Sequence, residues 1–233
     1  MIVPWQEAMS LVTERKTGKE LILCAHKNIR RDATMNFDIS KLKWINQPKA
    51  FTVDESKIVI TTDPETDYWQ RTYYGFRNDN AHTFVLPVDF DFTFTVKTQF
   101  DTKTLYDQCG VIIYQNSDNW FKASVEFEND RYQRLGSVVT NNGYSDWATT
   151  DIPAGIKSMY YRLSRRGMDF RIENSKDGAS FEQMRIFHLF EGAGEVNVGV
   201  YACSPLKSSF DAIFTGMELG ESIWEKHAAP GDK

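Results

Sequence analysis

The chain has 233 residues, of which 41% are hydrophobic and 25% charged, and its formal net charge is −5 at pH 7. This length and composition are typical of one large globular domain or two small ones. The negative charge and the lack of a long basic stripe argue against a nucleic-acid partner. No apolar run approaches the roughly 18 residues of a membrane-spanning helix. The N-terminal segment contains acidic residues and no continuous apolar stretch, so it does not resemble a secretory signal.

Three widely separated cysteines, Cys24, Cys109 and Cys203, have no zinc-type spacing with one another or with histidine. The chain also has no Asn-x-Ser/Thr glycosylation site. These features favour a reducing, cytoplasmic location. We expect no metal site and no cofactor, because the acidic loops lack calcium-binding spacing and no glycine-rich phosphate loop is present.

The first 40 residues predict an N-terminal extension that packs on the main domain. Residues 4–16 have apolar side chains three to four positions apart, which is typical of a short helix. Residues 20–26 ("ELILCAH") predict a short strand.

From Trp44 onwards the chain predicts a succession of strands, about ten to thirteen in number, with turn signals roughly every 8–12 residues. Asn142–Gly143 and Asp177–Gly178 are strong turn signals because these residues tolerate positive φ or bond to their own backbone. No long helical segment interrupts the series. We therefore predict an all-β sandwich of two antiparallel sheets over residues 41–220, followed by a tail over 221–233.

One strand, "NWFKASVEFEND" (119–130), has an unusual composition. Its apolar residues alternate, so that Phe121 and Val125 are expected to face the core. The intervening residues include Trp120, Lys122 and Glu126, which we expect on an open face of the sheet.

The order of motifs along the chain resembles the regulation-of-enolase family, a domain of unknown function with the concanavalin-A-like lectin/glucanase jelly roll. The residues that carry this resemblance are Gly110, Asp118, Trp120, Lys122, Glu126, Tyr144, Ser145, Asp146, Trp147 and Ala202 to Pro205. The resemblance runs from about Trp44 to about Leu219 and implies the fold. The better-known members of that fold bind or cut polysaccharides on the concave sheet. Function does not follow from fold, and the family carries no settled activity.

The polar and aromatic residues of this strand allow two functional interpretations. Glu126 and Glu128 share a strand face ~6.5–7 Å apart, which is within the range that glycoside hydrolysis needs. However, Lys122 lies on the same face, and a neighbouring cation is expected to lower the pKa of Glu126, whereas a general acid needs a raised pKa. The alternative is a ligand platform that combines aromatic rings with polar groups. Its candidate residues are Trp120, Lys122, Glu126, Tyr144, Asp146, Trp147, Arg162 and Tyr201.

The sequence therefore predicts a non-catalytic binding module for a carbohydrate or a sugar-derived small molecule, and the resemblance adds a regulatory role in sugar metabolism. A glycoside hydrolase or lyase that uses Glu126 and Glu128 is the first alternative. A protein-interaction domain, in which the aromatic face contacts a protein partner or a second copy, is the other. In a purely structural alternative, Trp120 and Trp147 pack beneath loops.

Overall fold

The structure is a computed structural model that describes residues 34–225. Within this range the chain forms seventeen strands and a single short 3-10 helix, Ile39–Lys41. No helix among these residues is long and apolar enough to cross a membrane. The helix expected over 4–16, the strand expected over 20–26 and Cys24 lie outside the described residues.

Fifteen of the strands form two large sheets in which all pairings are antiparallel. The eight-stranded sheet contains, in spatial order, β15 (Glu182–His188), β14 (Asp169–Ser175), β13 (Ser158–Arg166), β8 (Phe92–Gln99), β17 (Asp211–Glu221), β4 (Lys57–Thr61) and β3 (Ala50–Val53); β1 (Thr34–Asn36) also pairs with β17.

The seven-stranded sheet contains, in spatial order, β12 (Tyr144–Pro153), β11 (Tyr132–Asn141), β10 (Asn119–Phe127), β9 (Gln108–Asn116), β16 (Val196–Cys203), β7 (His82–Val88) and β2 (Lys43–Ile45). The two remaining strands, β5 (Tyr68–Gln70) and β6 (Arg77–Asp79), pair with each other. They form the β5–β6 hairpin. The predicted sandwich of two antiparallel sheets is thus confirmed.

The main core lies between the two sheets and is built from the apolar phase of their strands. Phe121, Ala123 and Val125 of β10 belong to it, as the alternation predicts. The Phe121 ring stacks on Phe187 of β15, with the ring centroids 4.0 Å apart, and this contact joins one sheet to the other. Since each strand contributes alternate residues, the other residues lie on the opposite face of the seven-stranded sheet, which can face water or pack against another segment.

A second, smaller core lies on that opposite face. Tyr68 of the β5–β6 hairpin is completely buried and packs against Trp120 and Tyr114 at centroid distances of 5.5 and 5.7 Å. As a result, β10 is buried on both faces from Asn119 to Val125. The expectation of an open face is therefore wrong for the first part of this strand, which the hairpin covers, whereas Glu126 near its end is only partly buried.

The turns are those that the sequence predicts. Asn142 and Gly143 have φ values of 51° and 75° and connect β11 to β12. The Asp177 carboxylate accepts hydrogen bonds from the backbone N–H groups of Ala179 and Ser180, and Gly178 has a φ of 77°. These local signals fix the register of the hairpins that they close.

The sandwich begins earlier than the expected start at residue 41. Thr34–Asn36 pairs with the last strand, and Ile39 is buried in the main core. At the other end, β17 runs to Glu221, one residue beyond the expected boundary. Both described cysteines, Cys109 and Cys203, are buried, and neither has a disulfide partner among the described residues.

Candidate functional site

A pocket of about 320 Å³ lies on the non-core face of the seven-stranded sheet, next to the β5–β6 hairpin. We call it the inner pocket. Its floor is formed by β9, β10 and β11, and its walls come from the hairpin, from the loop before β9 and from the segment after β16. The side chains that the site uses are Asp67, Trp69, Tyr74, Phe76, Tyr106, Gln108, Lys122, Ser124, Glu126, Arg134, Trp147 and Leu206.

Strand alternation places the polar floor. Lys122, Ser124 and Glu126 occupy alternate positions of β10 and therefore share a face. The residue opposite Ser124 on β11 is Gly136. A Cβ atom at Gly136 would lie 2.9 Å from Nε1 of Trp147. The missing side chain therefore lets the Trp147 indole approach the floor from the neighbouring strand.

Lys122 is a buried cation, with a side chain only 4% exposed. Its Nζ atom lies 3.6 Å from Oδ1 of Asp67 and 5.9 and 5.6 Å from the ring centroids of Trp120 and Tyr201. An ion pair and two aromatic faces offset the cost of taking the ammonium group out of water. Lys122 is thus fixed at the base of the inner pocket.

Glu126 accepts a hydrogen bond of 2.7 Å from Nε2 of Gln108. The Oε1 atom of Gln108 accepts bonds from the hydroxyls of Tyr201, at 2.9 Å, and Ser124, at 3.3 Å. Burial raises the pKa of the Glu126 carboxyl to about 7, and the Lys122 ammonium opposes this shift without cancelling it. The expectation that Lys122 would lower this pKa overall is wrong, because desolvation outweighs the neighbouring charge.

Only one member of the expected Glu126–Glu128 pair lines the inner pocket. β10 ends at Phe127, and the Glu128 carboxylate accepts a hydrogen bond of 2.9 Å from Nε of Arg134. Glu128 does not line the inner pocket, whereas Arg134 does. The second carboxylate that lines the pocket is Asp67, which the sequence did not single out.

Aromatic side chains form the rim of the inner pocket. Trp147 is 36% exposed, Phe76 44% and Tyr74 55%, and Tyr106 and Trp69 complete the set. Of these, only Trp147 was predicted. The available signal was the aromatic density of residues 68–76 ("YWQRTYYGF"), but strand patterns do not reveal where an irregular segment packs.

Two of the predicted ligand-binding residues are completely buried. Trp120 is 0% exposed, and its Nε1 donates to the carbonyl oxygen of Ser117 at 3.2 Å. Tyr201 is also 0% exposed. Neither ring can stack on a ligand, so the prediction that they bind one is wrong. Instead, the Trp120 ring contacts the Lys122 ammonium, and the Tyr201 hydroxyl donates to Gln108.

Three other predicted residues lie away from the inner pocket. Tyr144 is exposed at the turn that opens β12, below the guanidinium of Arg71. Asp146 is next to Trp147 in β12, so the two side chains point to opposite faces of the sheet. The Asp146 carboxylate pairs with Arg185 of the eight-stranded sheet at 2.9 Å. Arg162 belongs to the eight-stranded sheet and forms two hydrogen bonds, of 2.8 and 3.0 Å, to Glu173. Its placement in the same site as Trp147 is wrong, because it lies on the other sheet.

A second cavity, the outer depression, has a volume of about 310 Å³ and lies beside the inner pocket. It is lined by Trp69, Thr72, Tyr73, Tyr74, Ser145, Asp146 and Trp147. Three of these aromatic residues, Trp69, Tyr74 and Trp147, also line the inner pocket. Asp146 therefore borders the outer depression although it does not line the inner pocket.

Residues 44–222 match the family model described as "Protein of unknown function (DUF1349)". The chain belongs to this family. It is also 30% identical, over 184 residues, to "Regulation of enolase protein 1" of Saccharomyces cerevisiae, an alignment that covers 79% of this chain and 91% of the relative. This match agrees with the resemblance that the motif order indicates.

Solved structures show the same fold. A functionally unknown protein from Saccharomyces cerevisiae matches this DUF1349 chain with a TM-score of 0.75 at 28% identity, covering 80% of this chain and 100% of that one. The alginate lyase from Klebsiella pneumoniae matches with a TM-score of 0.56 at 12% identity, covering 81% and 98%. The GH43 protein BlXynB from Bacillus licheniformis matches with a TM-score of 0.58 at 14% identity, over 75% of this chain but only 35% of that protein. At these low identities the last two show the fold alone.

The inner pocket of this DUF1349 chain has two chemical properties. Its rim offers flat apolar faces, and its floor offers a fixed set of hydrogen-bonding groups with both signs of charge. Among residues 34–225 no group of three His, Cys, Asp or Glu side chains is placed to hold a metal ion. The inner pocket thus combines apolar contact surfaces with hydrogen-bonding groups.

Proposed function

We propose that residues 34–225 form a non-catalytic binding module that holds a carbohydrate or a sugar-derived metabolite in the inner pocket. The observation that carries the proposal is the combination of an aromatic rim with a buried polar floor. Trp147 and Tyr74 supply the apolar faces, and Gln108, Lys122 and Glu126 supply the hydrogen-bonding groups. Concave sites with few convergent polar groups are the usual places for small ligands.

A sugar ring fits this chemistry because its C–H faces are apolar while its edge carries hydroxyls. The floor is fixed before any ligand arrives, because Gln108 is held by Tyr201 and Lys122 is held by Asp67. A preorganised site loses less conformational entropy on binding than a mobile one. A regulatory role in sugar metabolism and the cytoplasmic location belong to the same proposal, supported by the name of the Saccharomyces cerevisiae relative and by the two unbonded thiols among the described residues.

Calorimetry with a panel of oligosaccharides tests the proposal. We expect Trp147→Ala to weaken oligosaccharide binding at least about tenfold, which corresponds to ~1.4 kcal/mol. Trp224→Ala is the matched control, because Trp224 lies at the end of the eight-stranded sheet and contacts Arg171 instead of the pocket. Absence of binding across the whole panel, or equal losses in both variants, would count against a sugar site.

A glycoside hydrolase or lyase is the second candidate, and the raised pKa of Glu126 favours it. A carboxyl that is protonated near neutral pH can serve as a general acid. The other carboxylate of the inner pocket, Asp67, forms an ion pair with Lys122 at 3.6 Å. In an activity screen Glu126→Gln would abolish turnover of a hydrolase, and a wild-type chain without turnover on any glycan would exclude this candidate.

A protein-interaction domain is the remaining alternative. Tyr73 at the tip of the β5–β6 hairpin is 93% exposed, and large exposed aromatic groups are enriched at protein interfaces. Light scattering of the wild type and of Tyr73→Ser separates this candidate from the sugar site. A wild-type dimer that dissociates in the variant would support it, whereas a monomer in both would not.

A further inference from the structure

The inner pocket is closed at one end, because its two walls are joined there. The segment 64–66 precedes the β5–β6 hairpin, and the segment 204–206 follows β16. The backbone N–H of Thr66 donates to the carbonyl of Ser204 at 3.1 Å, and the N–H of Ser204 donates to Oγ1 of Thr66 at 3.0 Å. We call these two joined segments the end wall.

Each wall of the pocket continues directly from the end wall. Asp67 and Trp69 follow residue 66 and line one side, whereas Pro205 and Leu206, which belong to the end wall itself, line the other. The sheet does continue beneath the end wall, into β16, but there Tyr201 is completely buried. The sheet in the direction of β16 is therefore filled by a buried aromatic ring.

The opposite end lies toward β12, which is the edge strand of the seven-stranded sheet. Trp147 of this strand is partly exposed and has the inner pocket on one side and the outer depression on the other. The polar groups are concentrated at the closed end, where Lys122 and Gln108 both contact Tyr201 of β16. The site thus has a polar, closed end and an aromatic, open end.

We infer that the site binds saccharides by their ends: a terminal sugar unit, or a free mono- or disaccharide, occupies the inner pocket, and any further units leave past Trp147 into the outer depression. This inference rests on the proposed function and specifies its ligand class. The end wall blocks an internal segment of a polysaccharide, because such a segment needs an exit on both sides. A volume of about 320 Å³ is also at the lower limit of small-molecule pockets.

The number of saccharide ends can be varied without changing the type of sugar. Each polysaccharide of a panel is compared with its own endo-cleaved oligosaccharides at equal sugar mass, and maltoheptaose is compared with β-cyclodextrin, which has no ends. We expect the cleaved and linear forms to bind at least about tenfold better than the polymer and the ring. Equal binding of polymer and fragments would overturn the inference and leave the sugar site standing. No binding by any member would reject both.

Two variants test the direction in which the ligand lies. Gln108→Ala at the closed end should weaken mono-, di- and trisaccharides by a similar factor. Trp147→Ala at the open end should weaken longer ligands about tenfold or more and a monosaccharide by a smaller factor, because only the longer ligands also extend past Trp147 into the outer depression. The same length profile in both variants would contradict the proposed orientation. If Gln108→Ala does not fold, the profile of Trp147→Ala alone decides, because a loss that is independent of ligand length would overturn the inference.

Discussion

The non-core face of the seven-stranded sheet is divided into a filled half and an open half. In the filled half, Trp120 and Tyr201 are completely buried, and Tyr68 of the β5–β6 hairpin packs against Trp120. In the open half, Glu126 and Trp147 line the inner pocket. Trp120 and Glu126 belong to the same strand and the same alternation phase. Strand phase thus selects the face, whereas the covering segment decides which residues of that face remain accessible.

The largest expected effect is in the filled half. Trp120→Ala should lower the free energy of unfolding by about 3–5 kcal/mol, because it leaves a cavity beneath the hairpin. Trp147→Ala, in the open half, should cost less than about 1 kcal/mol while it removes ligand affinity. Urea denaturation of both variants measures this contrast. Similar losses of stability would contradict the division into two halves.

The ion pair at the boundary between the halves should give the next largest effect. Lys122→Met leaves the Asp67 carboxylate without its cation, so we expect a loss of roughly 2–3 kcal/mol. The double variant Lys122→Met/Asp67→Asn removes both charges and should recover more than half of this loss. The 3.6 Å distance indicates that the two charges are coupled. If the loss of unfolding free energy in the double variant equals the sum of the losses in the two single variants, this coupling is absent.

The pH dependence of stability tests the open half alone. The Glu126 carboxyl has a pKa of about 7 in the fold against an ordinary value of 4.5. Between these pH values the folded chain keeps a proton that the unfolded chain releases. The free energy of unfolding of the wild type therefore falls as the pH rises through this range, and the loss is complete above pH 7. Relative to the wild type, Glu126→Gln should therefore gain roughly 1–3 kcal/mol between pH 4.5 and 8. A difference between the two proteins that is constant with pH would refute the shift.

The smallest expected effect concerns the contact between Gly136 and Trp147. Gly136→Ala places a Cβ atom 2.9 Å from Nε1 of the indole, so that Trp147 must move outward. We expect a change in stability of about 1 kcal/mol or less, together with weaker oligosaccharide binding and a shift of tryptophan fluorescence. Gly155→Ala is the matched control, since a Cβ atom there meets nothing within 4 Å. Unchanged binding in Gly136→Ala would show that the position of Trp147 is not critical.

The sequence predicted the site only in part, and particular residues show why. Lys122, Glu126 and Trp147 were predicted and do line the inner pocket. Trp120 was predicted on the correct face, but nothing local indicates that Tyr68, more than fifty positions earlier in the chain, covers it. Gln108 and Asp67 were missed because each is an ordinary polar residue until its partners are known. The pKa of Glu126 was predicted in the wrong direction because burial is a property of the assembled fold.

What the sequence by itself determined was a succession of strands, predicted as about ten to thirteen where the described residues contain seventeen, together with their inward and outward phases and the turns at Asn142–Gly143 and Asp177–Gly178. These depend on alternation and on local backbone preferences, which a residue and its near neighbours decide. The tertiary structure alone decided that the β5–β6 hairpin fills half of the sheet face, that residues 64–66 and 204–206 join to close the pocket, and that Glu126 is desolvated. Such contacts join segments far apart in the chain, so their free energies depend on packing that no local pattern records.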